Sequence, residues 1–390
     1  MDRRVVYLDN NGTTRMADEV VAFMHENDDL YGNASSMHTL GREAAAGIEW
    51  ARGEVASLIS AESDEIYFTS GASESNNTVL NIFRDKADDG DKRNRIIITS
   101  VEHPATIETV KYLKKKGYHI DLCPVDGIGR VKLDELEKMM GDDVSLVSVM
   151  TGNNESGTIQ PVKEAAEIAH KHGAYFHTDA TQAIGKIPVS VKDINADYLS
   201  LSAHKFYGPK GIGVLYARRG VPLSPFVHGG HQEKGMRAGT YNNQAILGLG
   251  KAAELARINL KEEHEKLWEM REALRKGIEE RIPDIIINGS NDEALCLPGT
   301  LNVSFPRAEG ESILLYLDLE GIEVSTGSAC ATGSLEPSYV LLASGLDVEL
   351  AHGSVRFSFG RYNTMDDVEY VLEKLPPIIE RVRSMSTRRA

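Results

Sequence analysis

The chain has 390 residues, 41% of them hydrophobic, enough for a large core and room for roughly two or three average domains. Its formal net charge of -15 argues against a nucleic-acid-binding surface, which needs clustered cations, and no uncharged apolar run is long enough to span a bilayer. Three cysteines make no disulfide framework, and the opening Met-Asp-Arg-Arg-Val-Val-Tyr-Leu-Asp has no apolar signal stretch, so the cytoplasm is the expected compartment.

Val5 to Leu8 reads as a short strand, followed by the turn-like Asp9-Asn-Asn-Gly-Thr-Thr14. A polar loop, Tyr31-Gly-Asn-Ala-Ser-Ser-Met-His38, separates this from a helical pattern at Thr39 to Ser57. Glu65 to Ser70 reads as a strand, and Gly71-Ala-Ser-Glu-Ser opens the next helix. Free amides at a helix start form an anion site, so Ala72 and Ser73 are candidate phosphate contacts; helix capping by Ser73 is the plainer alternative. Arg95 to Ser100 is a further strand, delivering His103 in Val-Glu-His-Pro, with Pro104 suited to a first helical position.

Val144 to Met150 is a nearly continuous apolar run, as expected of a strand covered on both faces, and leads into Thr151-Gly-Asn-Asn-Glu155. A helix at Val162 to His172 returns the chain to the buried run Ala174 to Phe176, with Asp179 beyond its carboxyl end. Asp197 to Leu201 alternates in turn, and Ser202-Ala-His-Lys205 follows at the strand end before a Gly/Pro turn. Strands alternating with helices from Glu65 to Tyr216 predict a mostly parallel sheet wrapped on both sides, with an α/β fold and ligands at the carboxyl ends of its strands. A lysine there can form a Schiff base with a carbonyl. Pyridoxal phosphate (PLP) further needs a carboxylate for its ring nitrogen, a stacking face and an anion cradle, and each has a candidate upstream.

After a glycine-rich segment, His228 to Thr240, a long charged helical pattern from Asn243 to Glu280 leads towards a smaller C-terminal domain. That domain has a strand at Thr300 to Phe305, a helix at Glu311 to Leu319, the strand-like Val355-Arg-Phe-Ser-Phe, and a last helix from Met365 to Ser384. Cys123 and Cys296 lie in apolar surroundings and are expected to be buried and inert. Cys330, in Ser325-Thr-Gly-Ser-Ala-Cys330, is flanked by small and hydroxyl residues with no apolar face, as an accessible reactive thiol requires. A metal site at His170, His172, His177 and Asp179 is the rival from another class, but His170 and His172 end a helix, where histidine favours the dipole, and no resident metal is expected.

Gly71-Ala-Ser-Glu-Ser-Asn-Asn77, Val101-Glu-His-Pro104, Asn153-Asn-Glu155, Asp179-Ala-Thr-Gln182, Ser202-Ala-His-Lys205 and Ser325 to Cys330 occur in the order found in cysteine desulfurases. Over nearly its whole length the chain resembles that family, of the IscS/NifS type within the class-V aminotransferases. The resemblance implies a fold-type I PLP enzyme: a large domain at 14–257 with a mostly parallel seven-stranded sheet, and a small α+β domain from 1–13 and 258–390. It implies that L-cysteine is converted to L-alanine and its sulfur moved to Cys330 as a persulfide, for iron-sulfur cluster assembly or other thiolation pathways.

By the same resemblance Lys205 carries PLP, Asp179 pairs with its ring nitrogen, and His103 stacks on the ring and serves as an acid/base. Ala72, Ser73 and, from a second subunit, Thr240 hold the phosphate, and Ser202 and His204 also bind the cofactor. Asn154 and Gln182 meet the phenolic oxygen, while Arg356, Asn33 and Asn154 receive the substrate. Arg361 is the rival to Arg356. A homodimer and a sulfur-acceptor protein such as an iron-sulfur scaffold are the implied partners, with Cys330 a transient ligand for cluster iron. The family usually has alanine at Gly12 and proline at Ala34.

Overall fold

The computed structural model describes residues 4–88, 91–326 and 336–385. Twelve strands are present among the described residues. They are β1 (Val6–Tyr7), β2 (Ile66–Thr69), β3 (Arg95–Thr99), β4 (His119–Cys123), β5 (Val144–Ser148), β6 (Tyr175–Asp179), β7 (Tyr198–Ser202), β8 (Gly213–Ala217), β9 (Ile286–Asn288), β10 (Thr300–Ser304), β11 (Ile322–Glu323) and β12 (Ser354–Ser358).

Seven of them form one sheet in the order β2-β8-β7-β6-β5-β3-β4. Six run in one direction, and β8 is antiparallel to both of its neighbours, β2 and β7. The expected mostly parallel α/β sheet is therefore present. Every residue of β5 and β7 is buried, because helices cover both faces, which is why these strands read as apolar runs rather than as a strict alternation. The edge strand β4, by contrast, is visible in the sequence only as the apolar run Ile120 to Val125. Its His119 and Leu122 remain exposed, so it carries a weaker pattern.

A second sheet, β12-β10-β9, is antiparallel, and β1 pairs in parallel with β11. Two large apolar cores result. One is built around the seven-stranded sheet from Ala17 to Ala256; the other joins Val6 and Leu8 to residues between Leu267 and Val382. A single helix, Asn243–Arg281, serves both, with Ala245 to Ala256 buried in the first and Leu267 to Ile278 in the second. At 39 residues it is about 58 Å long, sufficient to reach from one core to the other. The N-terminal segment then returns across the sheet, where Thr14 and Ala17 bond to the main chain of His204 and Tyr207. No helix among the described residues is long and apolar enough to cross a membrane.

Candidate active site

The carboxyl ends of β3, β5, β6 and β7 open onto a cavity of about 490 Å³. Its lining joins His103, Asn154, Asp179, Gln182, Ser202, His204 and Lys205 to Gly12, Thr13 and the start of helix Ala72–Asp88, including Ala72 and Ser73. Most of the residues singled out in the sequence thus meet at one rim. Thr240 lies instead in a neighbouring cavity of about 140 Å³, with Ser70, Gly211 and Arg237. Asn33 is exposed, its side-chain oxygen accepting from the amide of Ser35, and does not line the main cavity. Arg356 is close by but withdrawn: its Nη1 donates to the Asn154 carbonyl at 2.9 Å and its Nη2 to Asp9 Oδ1 at 2.6 Å. Its rival Arg361 is engaged elsewhere, with Glu263 and over the Tyr207 ring.

Each side chain is fixed by local structure. Asp179 ends β6, buried, with Oδ2 accepting from Asn76 Nδ2 at 2.6 Å and Oδ1 from the Thr181 amide at 3.0 Å. Both of these donors are neutral. Below it, His177 sits between Ser148 Oγ at 2.8 Å and Ser200 Oγ at 3.0 Å, and burial pushes its imidazole down to about 4, so it is neutral. His103 caps helix Pro104–Lys115 by accepting the Ala105 amide on Nδ1 at 3.1 Å. In the neutral ring the proton therefore sits on Nε2, and burial, aided by Lys205, lowers the imidazole's pKa. His204 is also driven down, to about 4, chiefly by burial, and its Nδ1 pairs with Thr13 Oγ1 at 3.0 Å.

Lys205 follows β7 in a short 3₁₀ turn, where its Nζ donates to the carbonyls of Asn11 at 2.5 Å and Gly12 at 2.6 Å. Gly213 lets β8 pass close beside the anion-site turn. A Cβ there would fall 2.5 Å from Gly71 Cα and 2.6 Å from the Leu201 carbonyl.

Sequence reasoning missed several participants. Asn11 accepts from both Lys205 and Gln182 through its carbonyl and from Lys186 Nζ, at 2.8 Å, through its side chain. Lys186 is buried, and its amine is driven down to about 7 by burial and by the charges of Lys205 and Arg356. It also donates to Gln182 Oε1 at 2.8 Å, which orients that amide with its NH₂ away from the lysine. The available signal was spacing, since Lys186 lies four residues beyond Gln182, about one helical turn. Asn76 sits three residues into the helix after Ser73 and carried no separate signal.

The candidate metal ligands do not converge. His170 pairs with Asp197, His172 with Glu137, and among the described residues no three His, Cys, Asp or Glu side chains are grouped to hold a metal. Cys123 and Cys296 are buried as expected, and burial raises both thiols, Cys123 to about 12. Cys330 lies outside the described residues. The flanking chain is anchored beside the site. Ser325 exchanges main-chain hydrogen bonds with Arg356, and past the segment Ser338 Oγ donates to Glu155 and Tyr339 OH to the Glu102 carbonyl, both at 2.5 Å.

A class-V aminotransferase family model matches residues 6–371. A cysteine desulfurase IscS from Dictyoglomus turgidum is 48% identical over 385 residues, covering 98% of this chain and 97% of the relative. The chain belongs to the cysteine desulfurases. A solved NifS-like protein superposes on this cysteine desulfurase with a TM-score of 0.90 at 41% identity, covering 97% of this chain and all of the other. A solved structure of SspA in complex with cysteine matches at a TM-score of 0.79 and 32% identity over 92% of this chain and all of that one. The enzyme is PLP-dependent, as the family is. The cavity fits that cofactor: a buried carboxylate with neutral donors suits a protonated ring nitrogen, helix-start amides suit a phosphate, and a lysine lines the same cavity.

Proposed function

We propose that this cysteine desulfurase works through Lys205, Asp179, His103 and Cys330, acting as a cytoplasmic homodimer that hands sulfur to an acceptor such as an iron-sulfur scaffold. The observation that carries the reading is that β6 and β7, adjacent and parallel, end in Asp179 and lead into Lys205 on one cavity, in a chain nearly half identical throughout to named desulfurases. The large domain would take 14–257, and the small one 1–13 with 258–390, with Thr240 reaching the phosphate site of a second subunit.

Bound PLP supplies an electron sink conjugated to the substrate nitrogen. Ala72, Ser73, Ser202 and His204 would hold its phosphate region, and Asp179 the proton on its ring nitrogen. Lys205, as a free amine, would take the proton of the substrate α-carbon onto Nζ and return it to that carbon as alanine forms. Asn154 and Gln182, which line the cavity, would meet the phenolic oxygen, while His103 presents Nε2, because Nδ1 is committed to Ala105. Arg356, with Asn154, would receive the α-carboxylate; Asn33, called for that task in the sequence, stands outside this cavity and would have to be carried to it by its loop. The Cys330 thiolate attacks the substrate sulfur. A sulfur-sulfur bond forms as the carbon-sulfur bond breaks, the electron pair stays on carbon, and protonation there gives the methyl group of alanine.

Borohydride treatment of the yellow enzyme followed by peptide mapping should find the cofactor on Lys205. Cys330→Ala should retain the colour and lose sulfide release. A folded, cofactor-replete enzyme with no adduct at Lys205, or desulfuration persisting in Cys330→Ala, refutes the corresponding assignment.

A further inference from the structure

The Arg356 guanidinium is almost fully buried, with a carboxylate on one end, a carbonyl on the other, and Nε without a hydrogen-bond partner among the described residues. The carboxylate is that of Asp9, whose side chain is 30% exposed and so stands between the arginine and open space. Asp9 begins a tight turn, in which its carbonyl accepts the amides of Gly12 at 2.9 Å and Thr13 at 3.3 Å. That turn folds Gly12 directly over the aspartate. A Cβ at position 12 would lie 2.5 Å from Asp9 Oδ2, 2.9 Å from Cγ and 3.0 Å from Oδ1. The backbone of Gly12 is not in the left-handed region, and the three atoms nearest a side chain there all belong to this carboxylate.

We propose that Asp9 is a specificity-determining residue that occupies, on Arg356, the place taken by the α-carboxylate of the substrate, and that Gly12 provides the room for it. The inference rests on the reading of Arg356 as the carboxylate clamp. An amino acid then binds by displacing an internal anion rather than by meeting a bare cation. The same competition weakens the hold on L-alanine, which carries an identical carboxylate, and so favours product departure. In its absence a buried guanidinium lacks its counter-charge until a ligand supplies one, so ligand binding must become tighter.

The test is titration of the holoenzyme with L-alanine, followed by absorbance, in wild type, Asp9→Asn, Gly12→Ala and the double variant. Asp9→Asn and Gly12→Ala should each lower the Kd on the order of tenfold. The double variant should add little to either, because both break one contact. L-alanine should also raise the melting temperature of each variant by more than that of the wild type. An unchanged or raised Kd in both single variants overturns the proposal, since Asp9 then orients Arg356 or merely packs beside it. If Asp9→Asn does not fold, Gly12→Ala, which keeps every charge, decides the matter alone and in the same sense. Arg356→Gln separates the two layers: a Kd unaffected by that change removes the clamp reading itself, whereas a large loss there with no response at Asp9 or Gly12 removes only the competition.

Discussion

Glu102, immediately before His103, is fully buried and carries a carboxyl pushed up to about 8, mainly by desolvation and further by the charge of Asp179. Its Oε1 accepts from Thr99 Oγ1 at 2.6 Å and from the Met150 amide at 2.8 Å, but Oε2 has no partner among the described residues. At neutral pH the group is therefore protonated in the fold and ionised in the unfolded chain, where it titrates near 4.5. A raised folded pKa means that the native state binds more protons, so this contribution is complete below 4.5 and is lost as pH rises through 8. At ~1.4 kcal/mol per pH unit, the loss across that window reaches ~5 kcal/mol.

Glu102→Gln keeps the shape and the acceptor oxygen but cannot ionise. Relative to wild type, its stability should be about equal near pH 4.5 and should climb by up to ~5 kcal/mol towards pH 8 and above. Urea unfolding of both proteins at a series of pH values checks this, since titrations common to the two cancel in the difference. Parallel pH curves, or a variant that loses ground as pH rises, would refute the assignment of a neutral buried carboxyl at this position.

Two further changes test how the cavity is braced. Glu233 accepts both Nη groups of the buried Arg52, at 2.7 and 2.9 Å, and the Phe68 amide at 2.7 Å, so Glu233→Ala should cost ~3–5 kcal/mol in denaturant unfolding by leaving the arginine only the Ile66 carbonyl and the more exposed Glu49. A loss no larger than that of the Arg52→Met/Glu233→Met pair would contradict this. Gly213→Ala should weaken PLP binding on the order of tenfold or more, since its Cβ meets unyielding backbone at Gly71 and Leu201; a fluorescence titration of the apoenzyme showing unchanged affinity would count against that contact.

The sheet and most of the site are legible in the chain, because both depend on local pattern. Doubly covered strands must be apolar throughout, and β5 and β7 show this directly. Residues at strand ends are brought to one rim by the parallel topology, so Asp179, Lys205, His103 and Asn154 could be placed together from their positions after predicted strands. The sequence context around Cys330 likewise marked it apart from the two buried cysteines.

Only the tertiary structure decided how distant segments interlock. Arg356 and Asp9 are 347 positions apart, and Lys186 is 175 from Asn11, so neither contact leaves a periodic trace in the chain. The pairing of Asp9 with Ser358 of β12, and of β1 with β11, carries the N-terminal turn over the cavity, where its carbonyls meet Lys205. A lysine or aspartate in a polar stretch looks like solvated surface until packing removes its water. At that point the cost of leaving charge without a partner dictates which groups must meet.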